Sequence, residues 1–248
     1  MARKGKLKQK ATKETIERPK RVRRYEYFFL IVCEDQKTEP EYFQQFVDLF
    51  PDGTLYLRPV GTGLSPLGVV NQAIIEKAEL EAESKKEFGR DDAVWVVFDK
   101  DDADFNVNTR KNFDEAFEIA NQNKFEIAYS NEAFELWFLL HLEEVPSHPP
   151  IPRSDIYTRL GELIRQNPNE SNFVYDHGNI EIVEKINQFG NELNAIERAE
   201  ILLQAQKGVA PIQANPSTKV HLLVQKLREW IDYYTPDRTT ETGLLNKY

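Results

Sequence analysis

The chain alternates short apolar runs with amphipathic segments. Runs rich in β-branched and aromatic residues predict four strands, at 25–33, 54–60, 93–98 and 125–129. Segments with apolar residues at helical spacing predict helices that begin near residues 38, 65, 109 and 132. Because the strands are almost wholly apolar and alternate with helices, the pattern predicts an α/β fold, a parallel sheet flanked by helices.

A proline-rich run, Val145 to Arg153, separates this alternating part from a mainly helical remainder. The clearest helix beyond it has apolar residues at i, i+3, i+4, i+7 and i+11, which are Val220, Leu223, Val224, Leu227 and Ile231. We therefore expect an α/β domain over residues 25–145 and a mainly helical extension over residues 146–248 that packs on the sheet.

The charge is unevenly placed. Residues 1–24 hold 11 Lys and Arg against Glu14 and Glu17, a balance of +9, so the rest of a chain of net charge −9 carries −18. The segment 1–24 has no apolar periodicity, which predicts a disordered basic tail. Such a tail either contacts the phosphates of nucleic acid or only aids solubility. The acidic body fits a protein whose carboxylates are partly neutralised by a divalent metal.

The location of the protein is suggested by what the chain lacks. The longest apolar runs fall far short of the ~20 residues that a membrane span needs. No signal-peptide pattern follows the basic start. The single cysteine, Cys33, cannot form an intramolecular disulfide, and its apolar strand setting favours a buried hydrophobe over a nucleophile. We expect a soluble, cytoplasmic protein.

Acidic residues follow two of the predicted strands. Glu34 ends the first strand, and Asp99 and Asp101 end the third. Ligand sites of parallel sheets lie outside the carboxyl ends of the strands, and a right-handed crossover can place these two ends side by side. Three carboxylates there would suit Mg²⁺ or Mn²⁺. The competing interpretation is that these are solvated turns, because acidic loops after strands are common.

Four blocks of sequence resemble the RloB-like proteins. They lie in order between Tyr25 and Asp232, and together they cover nearly the whole predicted folded region. The blocks are Leu30-Ile-Val-Cys-Glu-Asp-Gln-Lys-Thr-Glu-Pro-Glu-Tyr-Phe43, Val96-Val-Phe-Asp-Lys-Asp101, Ser130-Asn-Glu-Ala-Phe-Glu-Leu-Trp137 and Asn215-Pro-Ser-Thr218 with Val220. Each block is short, but their combination is specific.

The resemblance implies a TOPRIM-like sheet, the catalytic fold of topoisomerases, primases and overcoming-lysogenization-defect nucleases. By matching position, Glu34 would bind metal or act as general acid or base, and Asp99 and Asp101 would be metal ligands. Two departures stand out. The loop after Glu34 lacks an expected glycine, and Glu132 stands where the family pattern has proline.

Two further residues are candidates for catalysis. Glu135 interrupts a mostly apolar helix, so it needs either a role in the site or a structural partner such as Arg or Lys. Lys37 lies beside Glu34 and could stabilise phosphate charge, although exposed loop lysines are usually only solvated.

The expected function is Mg²⁺-dependent hydrolysis of phosphodiesters in DNA or RNA. What the resemblance implies further is a role in bacterial anti-phage defence, or abortive infection, beside a partner ATPase of the RloA or related type. The alternative is a non-catalytic TOPRIM-like module that docks on or regulates that ATPase. The sequence gives less support to primase or topoisomerase chemistry, since neither a motif around a transesterifying tyrosine nor a zinc module is recognisable.

Overall fold

The computed structural model describes residues 25–101, 103 and 105–235. The predicted basic tail at 1–24 lies outside these residues, as do Asp102, Asp104 and the last part of the predicted extension, 236–248.

Four parallel strands form one sheet. They are β1 (Tyr27–Cys33), β2 (Leu55–Gly61), β3 (Ala93–Asp99) and β4 (Glu126–Ser130), in the order β2-β1-β3-β4. β1 and β3 are neighbours, with Cys33 opposite Val97. The predicted α/β class and parallel sheet are confirmed, and the ends of the two acid-bearing strands lie side by side.

Within the described residues, eight α-helices surround the sheet. The first three are α1 (Thr38–Gln44), α2 (Pro66–Ser84) and α3 (Val107–Gln122). The others are α4 (Glu135–Leu142), α5 (Arg153–Arg165), α6 (Glu181–Phe189), α7 (Glu192–Ala205) and α8 (Val220–Tyr234). Within the described part of the chain, every helix is too short or too polar to cross a membrane.

Both faces of the sheet are buried, which explains the unbroken apolar strands. In β1, Leu30 and Val32 pack into a cluster with α2 and α3. The alternate residues Phe29, Ile31 and Cys33 pack on the other side, in a larger cluster with α1, α4 and the C-terminal helices. The larger cluster contains residues from both sides of the proline-rich run, so the predicted helical extension packs on the α/β part.

The connection before α8 is attached to the end of β4. The backbone N–H of Asn131 donates to Ser217 O at 2.8 Å, and that of Lys219 donates to Tyr129 O at 2.8 Å. The Ser130 and Thr218 hydroxyls share a buried hydrogen bond of 3.0 Å. These bonds hold the C-terminal helices against the edge of the sheet that carries the acidic residues.

The same bonds correct one prediction. The sequence predicts a helix that begins near residue 132, but α4 begins at Glu135, so the predicted start is wrong. The Ser130 hydroxyl is used by Thr218, and the Asn131 side chain donates to Pro211 O at 2.8 Å. Glu132 has a left-handed backbone with φ of 75°, which excludes it from the helix.

Candidate functional site

A cleft of about 530 Å³ opens at the carboxyl ends of β1 and β3. Its basic lining residues are Arg153 and His177. Six acidic residues line it: Glu34, Asp35, Glu39, Asp99, Asp101 and Glu135. The cleft therefore contains the three predicted metal ligands and the further candidate Glu135, and its charge is strongly negative.

Glu34 follows β1 directly and is fixed by the neighbouring strand. Its N–H donates to Val97 O at 2.9 Å, which continues the β1–β3 pairing by one residue. Its carboxylate Oε2 accepts the N–H of Asp99 at 2.8 Å. Burial raises the pKa of Glu34 to about 8, although the Asp99 N–H favours the ionised form. Glu34 is therefore a carboxyl group that holds its proton near neutral pH.

Asp99 is the last residue of β3 and lines the cleft. Its Oδ2 accepts the N–H of Phe134 at 2.9 Å, where the chain enters α4. Its Oδ1 is buried and has no hydrogen-bond partner among the described residues. Burial, followed by the charges of Glu39 and Asp101, raises the pKa of Asp99 well above its usual range. An unpartnered buried carboxylate oxygen is costly unless a cation or proton occupies it.

Asp101 reaches the cleft through a turn. β3 ends at Asp99, and Asp101 has a left-handed φ of 47°, so strand alternation does not set its direction. Its side chain is half exposed and accepts from an Arg153 guanidinium nitrogen at 2.9 Å. Arg153 is the last residue of the proline-rich run and the first residue of α5, so this ion pair links the two parts of the chain across the cleft.

Glu39 is a cleft acid that the sequence analysis did not single out. It lies in the first turn of α1, it is 2% exposed, and its Oε2 accepts the N–H of Asp35 at 3.3 Å. Burial and then the charge of Glu34 raise its pKa well above the usual range. One sequence feature could have revealed it, because Glu39 lies at helical spacing from Tyr42 and Phe43 on the buried face of α1.

The loop after Glu34 lacks a glycine because the next strand supplies one. A side chain at Gly61, the last residue of β2, would meet Asp35 O at 2.7 Å and Gln36 Cα at 2.8 Å. Gly63 has a φ of 68°, and its N–H donates to Glu34 O at 2.7 Å. The close backbone approach that a glycine beside Glu34 would allow is thus provided from the opposite side.

Glu135 is held by two residues from the C-terminal part. It is 2% exposed, accepts a short hydrogen bond from the Tyr175 hydroxyl, and lies 3.3 Å from His177 Nδ1. The Tyr157 hydroxyl lies 3.3 Å from the same nitrogen. The hydrogen bond to Glu135 raises the pKa of His177. Glu135 therefore has a tyrosine and a histidine as partners in place of the Arg or Lys that a structural pair was expected to use.

The two lysines beside the acids differ in position. Lys37 is exposed at the residue before α1, and it does not belong to the lining of the cleft. Lys100 is 4% exposed and pairs with Glu132 at 2.9 Å, so it is a buried structural cation and not a solvated loop residue. Neither lysine is among the described residues that line the cleft.

The donor atoms of the cleft suit a hard divalent cation, because carboxylate oxygens are the preferred ligands of Mg²⁺. The unpartnered Asp99 Oδ1 is one available donor. Among the described residues, however, no three His, Cys, Asp or Glu side chains are arranged to hold a metal ion together. Glu34 is directed to the Asp99 N–H and Asp101 to Arg153, so joint coordination requires these two side chains to reorient.

A comparison with protein families matches most of the chain. The model of the RloB-like protein family covers residues 29–227, which include every cleft residue named above. The search of curated proteins and the search of solved structures each found no match. The matched segment runs from within β1 into α8, which is more than half of the chain. The protein therefore belongs to the RloB-like family.

Proposed function

We propose that the chain is a nuclease that hydrolyses phosphodiester bonds of DNA or RNA with the help of Mg²⁺ or Mn²⁺. The observation that carries the proposal is Oδ1 of Asp99, a buried carboxylate oxygen in a cleft lined by acids that has no hydrogen-bond partner among the described residues. The residues that would hold the metal are Glu34, Asp99 and Asp101.

The charge of the cleft supports a cation-dependent reaction. Among the described residues, six acids line the cleft against Arg153 and His177, so in their ionised form these acids repel a phosphodiester. A bound divalent cation would neutralise charge on the phosphate and make water a better nucleophile. The raised pKa values of Glu34 and Asp99 have the same origin, because carboxylates crowded in a buried cleft resist ionisation until a cation arrives.

Reorientation of Asp101 would also change the contacts of Arg153. When Asp101 turns toward a cation, it leaves the guanidinium with which it now pairs at 2.9 Å. The Arg153 guanidinium lines the cleft and can donate to phosphate oxygens.

The biological setting proposed here comes from the family. RloB-like membership supports a role in defence of bacteria against phage, together with a partner ATPase of the RloA or related type. The basic segment 1–24 supports a nucleic-acid substrate, since its charge of +9 favours phosphate contact.

One alternative has observations in its favour. A non-catalytic module that docks on an ATPase would also show carboxylates in structural roles. Asp99 accepts the N–H of Phe134 at the entry to α4, and Asp101 pairs with Arg153. In that case the substitution of either acid would change stability or partner binding and no catalytic rate.

A cleavage assay separates the two functions. The full chain is incubated with plasmid DNA, single-stranded DNA, RNA and tRNA, with Mg²⁺ or Mn²⁺, with and without a neighbouring ATPase. We expect metal-dependent cleavage that Asp99→Asn abolishes and Glu144→Gln retains, because Glu144 is an exposed acid outside the cleft. Wild-type rates in Asp99→Asn, or a complete lack of cleavage, would contradict the proposal.

A further inference from the structure

His177 occupies a position in the cleft that the proposed metal ligands do not use. It lies in the loop between α5 and α6, followed by Gly178 with a φ of 79°. Its ring packs almost parallel to that of Tyr157, with 6.1 Å between the ring centroids. Its side chain is 62% exposed and lines the same cleft as Asp99 and Arg153.

The two ring nitrogens of His177 have different surroundings. Nδ1 lies 3.3 Å from Glu135 Oε1 and 3.3 Å from the Tyr157 hydroxyl oxygen. Nε2 makes no hydrogen bond within the described residues, so it is available to a ligand in the cleft. A histidine held through Nδ1 by a carboxylate presents Nε2 in a fixed direction, which is the arrangement of a proton-transfer group.

Glu135 is itself fixed, which makes it a firm support for the ring. The Tyr175 hydroxyl donates to the same Oε1 that faces His177, and both Glu135 and Tyr175 are buried. The rings of Tyr157 and Tyr175 also contact each other, with centroids 5.4 Å apart. The charged and titratable groups that face His177 are Glu135 of α4, Tyr157 of α5, and Asp35 and Asp101 farther off in the cleft.

We propose that His177 is the general acid of this site, whose Nε2–H protonates the leaving oxygen of the cleaved phosphodiester, and that Glu135 and Tyr157 are positioning residues. This rests on the proposed nuclease function. In the reaction, a water oxygen forms a bond to phosphorus and the bond from phosphorus to the leaving oxygen breaks. The leaving oxygen takes the proton of His177 Nε2, the water releases a proton to solvent, and solvent later reprotonates His177.

The state of His177 is consistent with this role. The hydrogen bond to Glu135 raises its pKa, so the ring carries its second proton over a wider range of pH than an isolated histidine. Because the side chain is exposed, Nε2 also exchanges protons freely with solvent between turnovers.

The test compares two leaving groups. A natural phosphodiester releases an alkoxide that needs a proton, whereas thymidine 5′-(p-nitrophenyl phosphate) releases a nitrophenolate that does not. With the full chain and Mn²⁺, His177→Gln should slow cleavage of the natural substrate by about 100-fold or more. Cleavage of the nitrophenyl ester should change less than about threefold, because general-acid catalysis contributes little when the leaving group is a weak base. The fall of kcat/KM on the alkaline side should also disappear in this variant.

The matched control is His148→Gln, which removes an exposed histidine outside the cleft and should leave both rates unchanged. Equal losses on the two substrates would show that His177 only binds or supports structure, and would overturn the inference. Unchanged rates on both substrates would also overturn it while leaving the nuclease function intact. If the wild-type chain cleaves neither substrate, the nuclease function fails first, and the general acid fails with it.

Discussion

Glu34→Gln should make the stability of the metal-free protein less dependent on pH. The pKa of Glu34 is raised from an ordinary 4.5 to about 8 in the folded chain. A raised carboxyl pKa contributes stability below the unfolded value, and this contribution is lost as the pH rises toward the folded value. From pH 5 to pH 9, Glu34 alone should lower the free energy of unfolding by about 4 kcal/mol.

Two other acids of the cleft change the stability with pH in the same direction as Glu34. The pKa values of Asp99 and Glu39 are also raised, mainly by burial, so the wild-type slope should exceed that of Glu34 alone. In Glu34→Gln the amide oxygen still accepts the Asp99 N–H, so the fold keeps its 2.8 Å contact while the ionisation is removed. The variant should therefore be the more stable protein at pH 9.

Urea unfolding at several pH values, in a chelating buffer, measures this difference directly. Glu144→Gln serves as the matched control, because Glu144 is exposed and outside the cleft. The reasoning is refuted if wild type and Glu34→Gln have parallel curves between pH 5 and 9, or if Glu34→Gln is less stable at pH 9.

Three further predictions follow from the same contacts. Asp101→Asn should lower the free energy of unfolding by less than about 1 kcal/mol, because the ion pair between Asp101 and Arg153 is partly exposed. The same substitution should abolish cleavage, and a wild-type cleavage rate would show that Asp101 is not a metal ligand. Glu135→Gln keeps an acceptor for Tyr175, so thermal unfolding should show that the free energy of unfolding falls by less than about 1.5 kcal/mol, and cleavage should be slower. A fall of about 3 kcal/mol or more with normal cleavage would indicate that the Glu135 charge is purely structural. Deletion of residues 1–24 should leave the melting temperature and the cleavage of a short saturating substrate unchanged. The affinity for long nucleic acid should depend less on salt, with the slope of log affinity against log salt concentration flatter by about 0.9 for each lost phosphate contact on duplex DNA. An unchanged slope would show that the tail does not anchor nucleic acid.

The sheet could be predicted because its strands obey a simple rule. A strand that is buried on both faces must be apolar at every position. The strand β1 is such a strand, because its alternate residues pack into the two hydrophobic clusters on opposite faces of the sheet. The juxtaposition of Glu34 and Asp99 followed from the same prediction, since parallel neighbours end at one edge of the sheet. The local sequence pattern and the sheet topology were sufficient to predict where these two acids lie.

The rest of the cleft depends on packing between distant segments. Arg153 reaches the cleft from the end of the proline-rich run, and Tyr175 and His177 reach it from beyond the run. No local periodicity marks these residues as neighbours of Asp101 or Glu135. The start of α4 was misplaced for a similar reason, because Ser130 and Asn131 bond to the segment before α8 and not to the helix that follows them. Long-range hydrogen bonds overrode the local capping preference.

The most direct test of the central claim is a calorimetric titration of Mn²⁺ into the full chain at pH 7, in two buffers that differ in ionisation enthalpy. Because Glu34 holds its proton up to about pH 8, binding in the cleft should release about one proton per chain from Glu34, and the raised pKa of Asp99 adds to this release. Asp99→Asn and Glu34→Gln should lose this binding, and Glu144→Gln should retain it. Binding with no proton release, or equal affinity in wild type and Asp99→Asn, would contradict a metal site in this cleft.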